Sequence, residues 1–295
     1  MSDNLKEKNK KEFKILRPTN DIVFQMLFST VNVEITKGLI SALLESEINS
    51  LELDLNKQLQ GDEVDDKIGI VDLRAKIDNN IECEIEMQMI YSKNFIPRLL
   101  YYWSKLYSNQ LKKGKKYDAL NKTISIAIIN ENVPELKGLL SHTKWQIRES
   151  GNYRKILTDK LEIHIIEIRK AIEEYKNNRK NERLQWMMFL NNPDSKEVDS
   201  IMKDNIKIKE AKNTLNYLSQ DEKNQRVAEL RLKNILDKQD IYATGVDIGI
   251  EKGIKREKEN IIIEMLKAKE PIEKIMKFTN AKKQEIEKIK KEKNI

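Results

Sequence analysis

Apolar residues recur at helical spacing near the start of the chain, at every second position in its middle, and again at helical spacing towards the end. Pro18-Thr19-Asn20 opens the first predicted helix, with Asn20 as its N-cap. Val23, Phe24, Leu27, Phe28 and Val31 then fall on one helical face. A second helix is predicted from about Glu34 to Glu45, carrying Leu39, Ile40, Leu43 and Leu44. The polar stretch Asn56 to Asp66 reads as a loop. Two strands follow, about Lys67 to Ile77 and Ile81 to Met89, separated by Asp78-Asn79-Asn80, residue types that tolerate turns and left-handed backbone. A long helix is predicted from Lys93 to Lys113, closed by Gly114. The near-continuous apolar run Thr123 to Ile129 reads as a strand buried on both faces. Trp145 to Arg148 and Leu161 to Ile168 are further strand candidates. From about Asn181 the pattern is helical, and Gly245, Gly249 and Gly253 fall four residues apart, as on a helix face packed closely on a neighbour. Lys255 to Lys290 reads as three short helices broken near Glu270-Pro271 and Thr279-Asn280, with Pro271 opening the second.

This order of elements predicts an α/β domain over residues 16–190, a lead-in over residues 1–15, and a helical extension over residues 191–295 divided off at Asn191-Asn192-Pro193-Asp194. In the last part Ile262, Met265, Leu266, Ile272, Ile275, Met276, Phe278, Ile286 and Ile289 are the expected small core. Apolar residues make up 39% of the 295, enough for a core, and charged residues 35%, which points to long solvated helices rather than disorder. No run reaches the roughly 18 apolar residues of a membrane span, so no membrane partner is expected. The polar segment Met1 to Lys14 lacks the apolar stretch of a signal peptide. Cys83 is the single cysteine and cannot form an internal disulfide; a reducing cytoplasm is the expected compartment.

The net charge of +7 is unevenly spread: Glu251 to Ile295 holds 14 Lys/Arg against 9 Asp/Glu. A basic tail of this kind suits attraction to nucleic acid, and it equally suits a solvated helical tail. The Gly-spaced helix and the apolar faces of the C-terminal helices offer a further reading, a homo-oligomer assembled through them.

Lys67 to Met89 carries the chemistry. Side chains alternate faces along a strand. Gly69, Val71, Leu73, Ala75 and Ile77 share one face of the first strand, and Ile81, Cys83, Ile85, Met87 and Met89 one face of the second. Burying both sets together requires a three-residue loop that sets Ile77 against Ile81, Ala75 against Cys83 and Leu73 against Ile85. Asp72 then lies opposite Glu86 on the other face, beside Glu82, Glu84 and Gln88. Carboxylates directly opposite, with Cβ atoms about 4.5–5.5 Å apart, repel unless a cation lies between them. Oxygen ligands without nearby His or Cys suit Mg²⁺ or Mn²⁺. The alternative is an amphipathic hairpin whose wet acidic face is neutralised by Lys67, Arg74 and Lys76. His142 and His164, the only histidines, lie too far apart in sequence to suggest a pair.

Ile70 to Lys76 (IVDLRAK), Ile85 to Gln88 (IEMQ), Pro97 to Leu111 (PRLLYYWSKLYSNQL) and Arg17 to Phe28 (RPTNDIVFQMLF) resemble the PD-(D/E)XK nuclease superfamily, in particular its recombination-promoting nuclease and transposase family. The resemblance covers roughly residues 17–168. It implies a mixed sheet flanked by helices, and Mg²⁺- or Mn²⁺-dependent hydrolysis of DNA phosphodiesters linked to recombination or mobile elements. It also implies that Asp72 is the motif aspartate, that Glu86 is the acidic residue of the (D/E)XK element, and that Gln88 stands where the superfamily has lysine, able to orient water. Arg98, Tyr102, Lys105 and Asn109 recur on one face of the following helix, with Arg98, Tyr102 and Lys105 the candidate DNA contacts. Asp21 suits the helix dipole or a supporting role at the metal. The competing function is a non-catalytic DNA-binding or assembly protein that keeps the fold.

Overall fold

The computed structural model describes residues 13–29, 33–54, 73–78 and 80–295. The predicted loop at 56–66, Val31, and the first half of the first hairpin strand, including Asp72, lie outside the described residues.

Helices α1 (Asp21–Ser29) and α2 (Val33–Leu44) come first. Asn20 caps α1, its Oδ1 accepting from the amides of Ile22 at 3.1 Å and Val23 at 3.4 Å. The apolar stripe behind the cap, Val23, Phe24, Leu27 and Phe28, is fully buried. Six strands follow: β1 (Leu51–Leu53), β2 (Leu73–Ile77), β3 (Ile81–Gln88), β4 (Lys122–Ile129), β5 (His142–Trp145) and β6 (Leu161–Glu167). They form one sheet in the order β1-β2-β3-β4-β6-β5. β3, β4 and β6 run parallel, and the flanking pairs are antiparallel. The fold is therefore a mixed six-stranded α/β sheet flanked by helices, with a long helical region after it.

The β2–β3 hairpin has the register that its apolar parity demands: Ile77 pairs with Ile81, Ala75 with Cys83 and Leu73 with Ile85. Asp78 takes the left-handed turn position at φ +49°. Its Oδ1 accepts from the amides of Asn49 and Ser50, tying the hairpin tip to the start of β1. β4 lies at the centre of the sheet and is buried over all but its first residue, as an apolar run of that length requires.

One sheet face packs on α1, α2 and α5 (Glu182–Asn191) through a core that includes Cys83, Ile85, Met87, Ile124, Ile126, Ile128 and Trp186. The other is covered by α3 (Phe95–Ser108), with Phe95 and Leu99 against Ala127, Ile129, Ile163 and Ile165. At about 1.5–3 kcal/mol per buried large apolar side chain, these two layers fix where α3 lies on the strands.

Several boundaries differ from the expectation. α3 ends at Ser108, not Lys113, because the chain leaves the helix to let Gln110 bond the Thr123 hydroxyl and the Asn121 amide. Gly114, at φ +83°, belongs to the following turn. The edge strand expected at Trp145 to Arg148 is His142–Trp145; Trp145 and Ile147 are exposed, so their apolarity does not mark core. α4 (Ile168–Tyr175) precedes the helical region expected from Asn181.

The chain divides into two compact units at Arg231/Leu232. α6 (Lys196–Ile201) and α7 (Ile206–Ser219) contribute Val198, Ile201, Ile208, Ala211 and Leu215 to the core of the first unit. α8 (Glu222–Lys267) begins in that unit, where the Ala228 carbonyl accepts from Asn20 Nδ2 at 3.1 Å. Gly245, Gly249 and Gly253 lie on α8, and a Cβ at any of them meets nothing within 4 Å, so the close packing expected of them is not made among the described residues. In the second unit α8 ends and α9 (Ile272–Thr279) and α10 (Lys283–Glu292) follow, broken where expected, with left-handed backbone at Lys269 and Asn280. Pro271 is the N-cap rather than the first helical residue. Ile262, Leu266, Ile275, Ala281, Ile286 and Ile289 form this unit's own core. Phe278, expected there, is 71% exposed. Among the described residues no single helix is long and apolar enough to cross a membrane.

Candidate active site

Strand alternation sends Glu82, Glu84, Glu86 and Gln88 to the sheet face under α3. Glu86 is 6% exposed and Glu84 3%, levels at which a carboxylate needs partners. Glu86 finds one on α3, where Arg98 Nη2 donates to Glu86 Oε1 at 2.6 Å. The same nitrogen donates to Gln88 Oε1, also at 2.6 Å. The Gln88 amide is held in this sense because its Nε2 donates to the Ile90 carbonyl at 2.7 Å, leaving the oxygen to face Arg98. Two oxygen acceptors thus converge on one positively charged nitrogen.

Burial pushes the Glu86 carboxyl up, Arg98 pulls it back, and the charge of Asp21 pushes it further up. Asp21 is itself clamped by Arg231, whose Nε lies 3.0 Å from Oδ1 and 2.9 Å from Oδ2 and whose Nη2 also pairs with Oδ2. Glu84 accepts from the Ser125 hydroxyl at 2.6 Å, while its Oε2 is buried with no hydrogen-bond partner among the described residues. Burial raises the Glu84 carboxyl, and Ser125 and Arg74, its cross-strand neighbour, offset this in part.

Of the residues singled out in the sequence, Glu86, Gln88 and Arg98 are brought together. Tyr102 and Lys105 lie further along α3, half-buried and exposed respectively. Trp103 is a packing residue: it stacks on Tyr107 at 5.2 Å and donates to the Thr123 carbonyl at 3.0 Å. Cys83 is buried on the opposite face, its thiol pushed far up by burial, so it is no nucleophile.

The histidines are a correction. His142 Nε2 and His164 Nδ1 meet at 2.7 Å, because β5 and β6 lie side by side. Sequence separation hid this, and only the pairing of an edge strand could have revealed it. They lie on the sheet face away from α3. Among the described residues no group of three His, Cys, Asp or Glu side chains is arranged to hold a metal ion.

A sequence profile described as PD-(D/E)XK nuclease family transposase matches residues 18–245. The chain belongs to this family. No curated protein and no solved structure matches it. The family's nucleases typically use divalent metals, and the Glu86 carboxylate and Gln88 amide oxygens, which converge on a cationic atom, are oxygen donors of the hard type that Mg²⁺ takes.

Proposed function

We propose that this family member is a divalent-metal-dependent DNA endonuclease, with Asp72 and Glu86 as metal-binding carboxylates and Mg²⁺ or Mn²⁺ as the ion. The convergence of Glu86 and Gln88 oxygens on one positive centre, beneath α3 of a nuclease-family chain, carries this reading. A metal held by these residues would supply Lewis-acid polarisation of the scissile phosphate and make water a better nucleophile. The chain's own residues do the rest. Glu86 and Asp72 supply negative charge to the ion. Gln88, whose carbonyl end is fixed by its bond to Ile90, orients water without supplying charge. Arg98, Tyr102 and Lys105 on α3 hold the phosphate backbone, contacts that position DNA without reading its sequence. The family description supports a role in recombination or mobile-element activity.

A second reading, a DNA-binding or assembly protein without catalysis, is favoured by Gln88 in the lysine position. Incubation with supercoiled plasmid and Mg²⁺ or Mn²⁺ separates the two. The nuclease reading expects nicked or linear products that vanish with chelator; a plasmid retarded in the gel but uncut under both metals overturns it.

A further inference from the structure

Arg98 does more in this geometry than wait for a phosphate. Its Nη2 occupies the point on which the Glu86 and Gln88 oxygens converge, 2.6 Å from each. Two cations cannot share those oxygens, because like charges at such separations repel strongly in a partly buried setting. Guanidinium does not deprotonate at any physiological pH, so Arg98 cannot make room by losing its charge. It can only move.

The surroundings permit that movement. Phe95, one turn before, and Leu99, the next residue, are 1% and 2% exposed and anchor α3 on the sheet, so the backbone of Arg98 stays in place. The side chain is 26% exposed, leaving it a path to solvent. Its hold is also incomplete: one nitrogen makes both bonds, and Nε is buried with no partner among the described residues. A guanidinium with unused donors is matched by a DNA phosphate, which can take it bidentately.

We propose that Arg98 is a resident counter-ion that competes with the divalent metal for Glu86 and Gln88, and that DNA phosphate draws it away. This rests on the assignment of Glu86 as a metal ligand. The free protein then binds metal weakly because the ion must displace Arg98. DNA releases the site by giving Arg98 another partner, so metal and DNA binding become positively coupled, and by linkage the coupling is reciprocal. The chain thereby charges its site with metal chiefly when substrate is present.

The test is a Mn²⁺ titration of the full chain by calorimetry, alone and with an uncleavable phosphorothioate duplex, for wild type, Arg98→Met, Arg98→Lys and Glu86→Ala. Without DNA, Arg98→Met is expected to bind Mn²⁺ about ten-fold tighter than wild type, the scale of one charge-assisted hydrogen bond. DNA should tighten Mn²⁺ binding to wild type and leave Arg98→Met unchanged. Arg98→Lys, a point charge unable to present a planar fork, should fall between, and it carries the test if the methionine variant does not fold. Wild-type or weaker Mn²⁺ affinity in both Arg98 variants overturns the competition while leaving Glu86 as a ligand. Unchanged Mn²⁺ binding in Glu86→Ala overturns the metal assignment itself, and the competition with it.

Discussion

Glu162 on β6 and the Glu84–Glu86 pair on β3 are glutamates buried on opposite faces of the central sheet, and they are partnered in opposite ways. On the face away from α3, Glu162 on β6 is saturated. Its Oε1 accepts from His164 Nε2 at 2.8 Å and Lys144 Nζ at 3.0 Å, and its Oε2 from Lys122 Nζ at 2.9 Å. Burial would raise this carboxyl, but the hydrogen bonds from His164, Lys122 and Lys144 outweigh it and hold the group well below the usual carboxylate range. Under α3, burial wins at both Glu84 and Glu86, and one oxygen of Glu84 has no partner among the described residues. A carboxylate that serves the fold is given all the donors it can take. The pair under α3 retains acceptor capacity, as a site for an external cation requires.

The saturated face also has a direction. Ionised Glu162 makes His164 Nε2 the donor, so His164 Nδ1 accepts from His142 Nε2, and His142 Nδ1 accepts from Arg183 Nη1 at 2.9 Å. Every ring nitrogen is thereby committed. A proton added to His142 Nδ1 would face the Arg183 guanidinium, and burial together with the neighbouring charges of His164, Arg183 and Lys144 pushes His142 down to about 3.

The largest expected break in the comparison comes from Glu162. Glu162→Ala strands Lys122 and His164 and should cost about 2 kcal/mol in urea unfolding. Glu86→Ala, which removes an under-satisfied carboxylate, should change stability much less; equal losses would mean that the two faces do not differ as described. Acid should act through the same network. The folded value of His142, about 3, lies below its unfolded value of 6.5, so its contribution is complete above pH 6.5 and is lost as pH falls towards 3. Depressed Glu162 works in the same direction. Between pH 7 and pH 5 the unfolding free energy should drop by about 1–2 kcal/mol, and His142→Gln should flatten that slope; an unchanged slope removes His142 as its source. Next in size is Gln88. Gln88→Ala should slow cleavage by about ten-fold, at the low end for one positioned catalytic group, while Gln88→Lys retains activity; an undiminished rate in the alanine variant makes the side chain a bystander. Smallest is truncation after Tyr242, expected to weaken DNA binding modestly and flatten its dependence on salt through lost phosphate contacts. If light scattering shows only a smaller oligomer, with affinity and salt slope unchanged, the C-terminal helices serve assembly, for which Ile250 and Ile254, 55% and 65% exposed beside the open glycines, are the natural surface.

What the sequence revealed follows from short-range periodicity. The β2–β3 register was legible because side chains alternate with period two and only one loop parity buries both apolar sets. The α1 cap and the breaks near Glu270-Pro271 and Thr279-Asn280 were legible because each depends on a few adjacent residues. What stayed hidden depends on distant strands or helices coming together. The His142–His164 pair needs an edge strand paired in register, and the Asp21–Arg231 clamp joins residues more than two hundred positions apart. The glycine spacing on α8 specified small residues on a face but not what, if anything, covers it. Within the site, Glu86, Gln88 and Arg98 were each legible as candidates, yet nothing in their spacing placed one guanidinium nitrogen between two acceptors.

Asp72 and Glu86 are proposed to bind the metal with which this chain would cut DNA. The most direct test of that assignment is plasmid cleavage in Mn²⁺ by wild type, Asp72→Ala and Glu86→Ala, each checked for an unaltered far-ultraviolet spectrum and thermal midpoint. The prediction is cleavage by wild type and none detectable by either folded variant; cleavage at the wild-type rate by folded Glu86→Ala would contradict it.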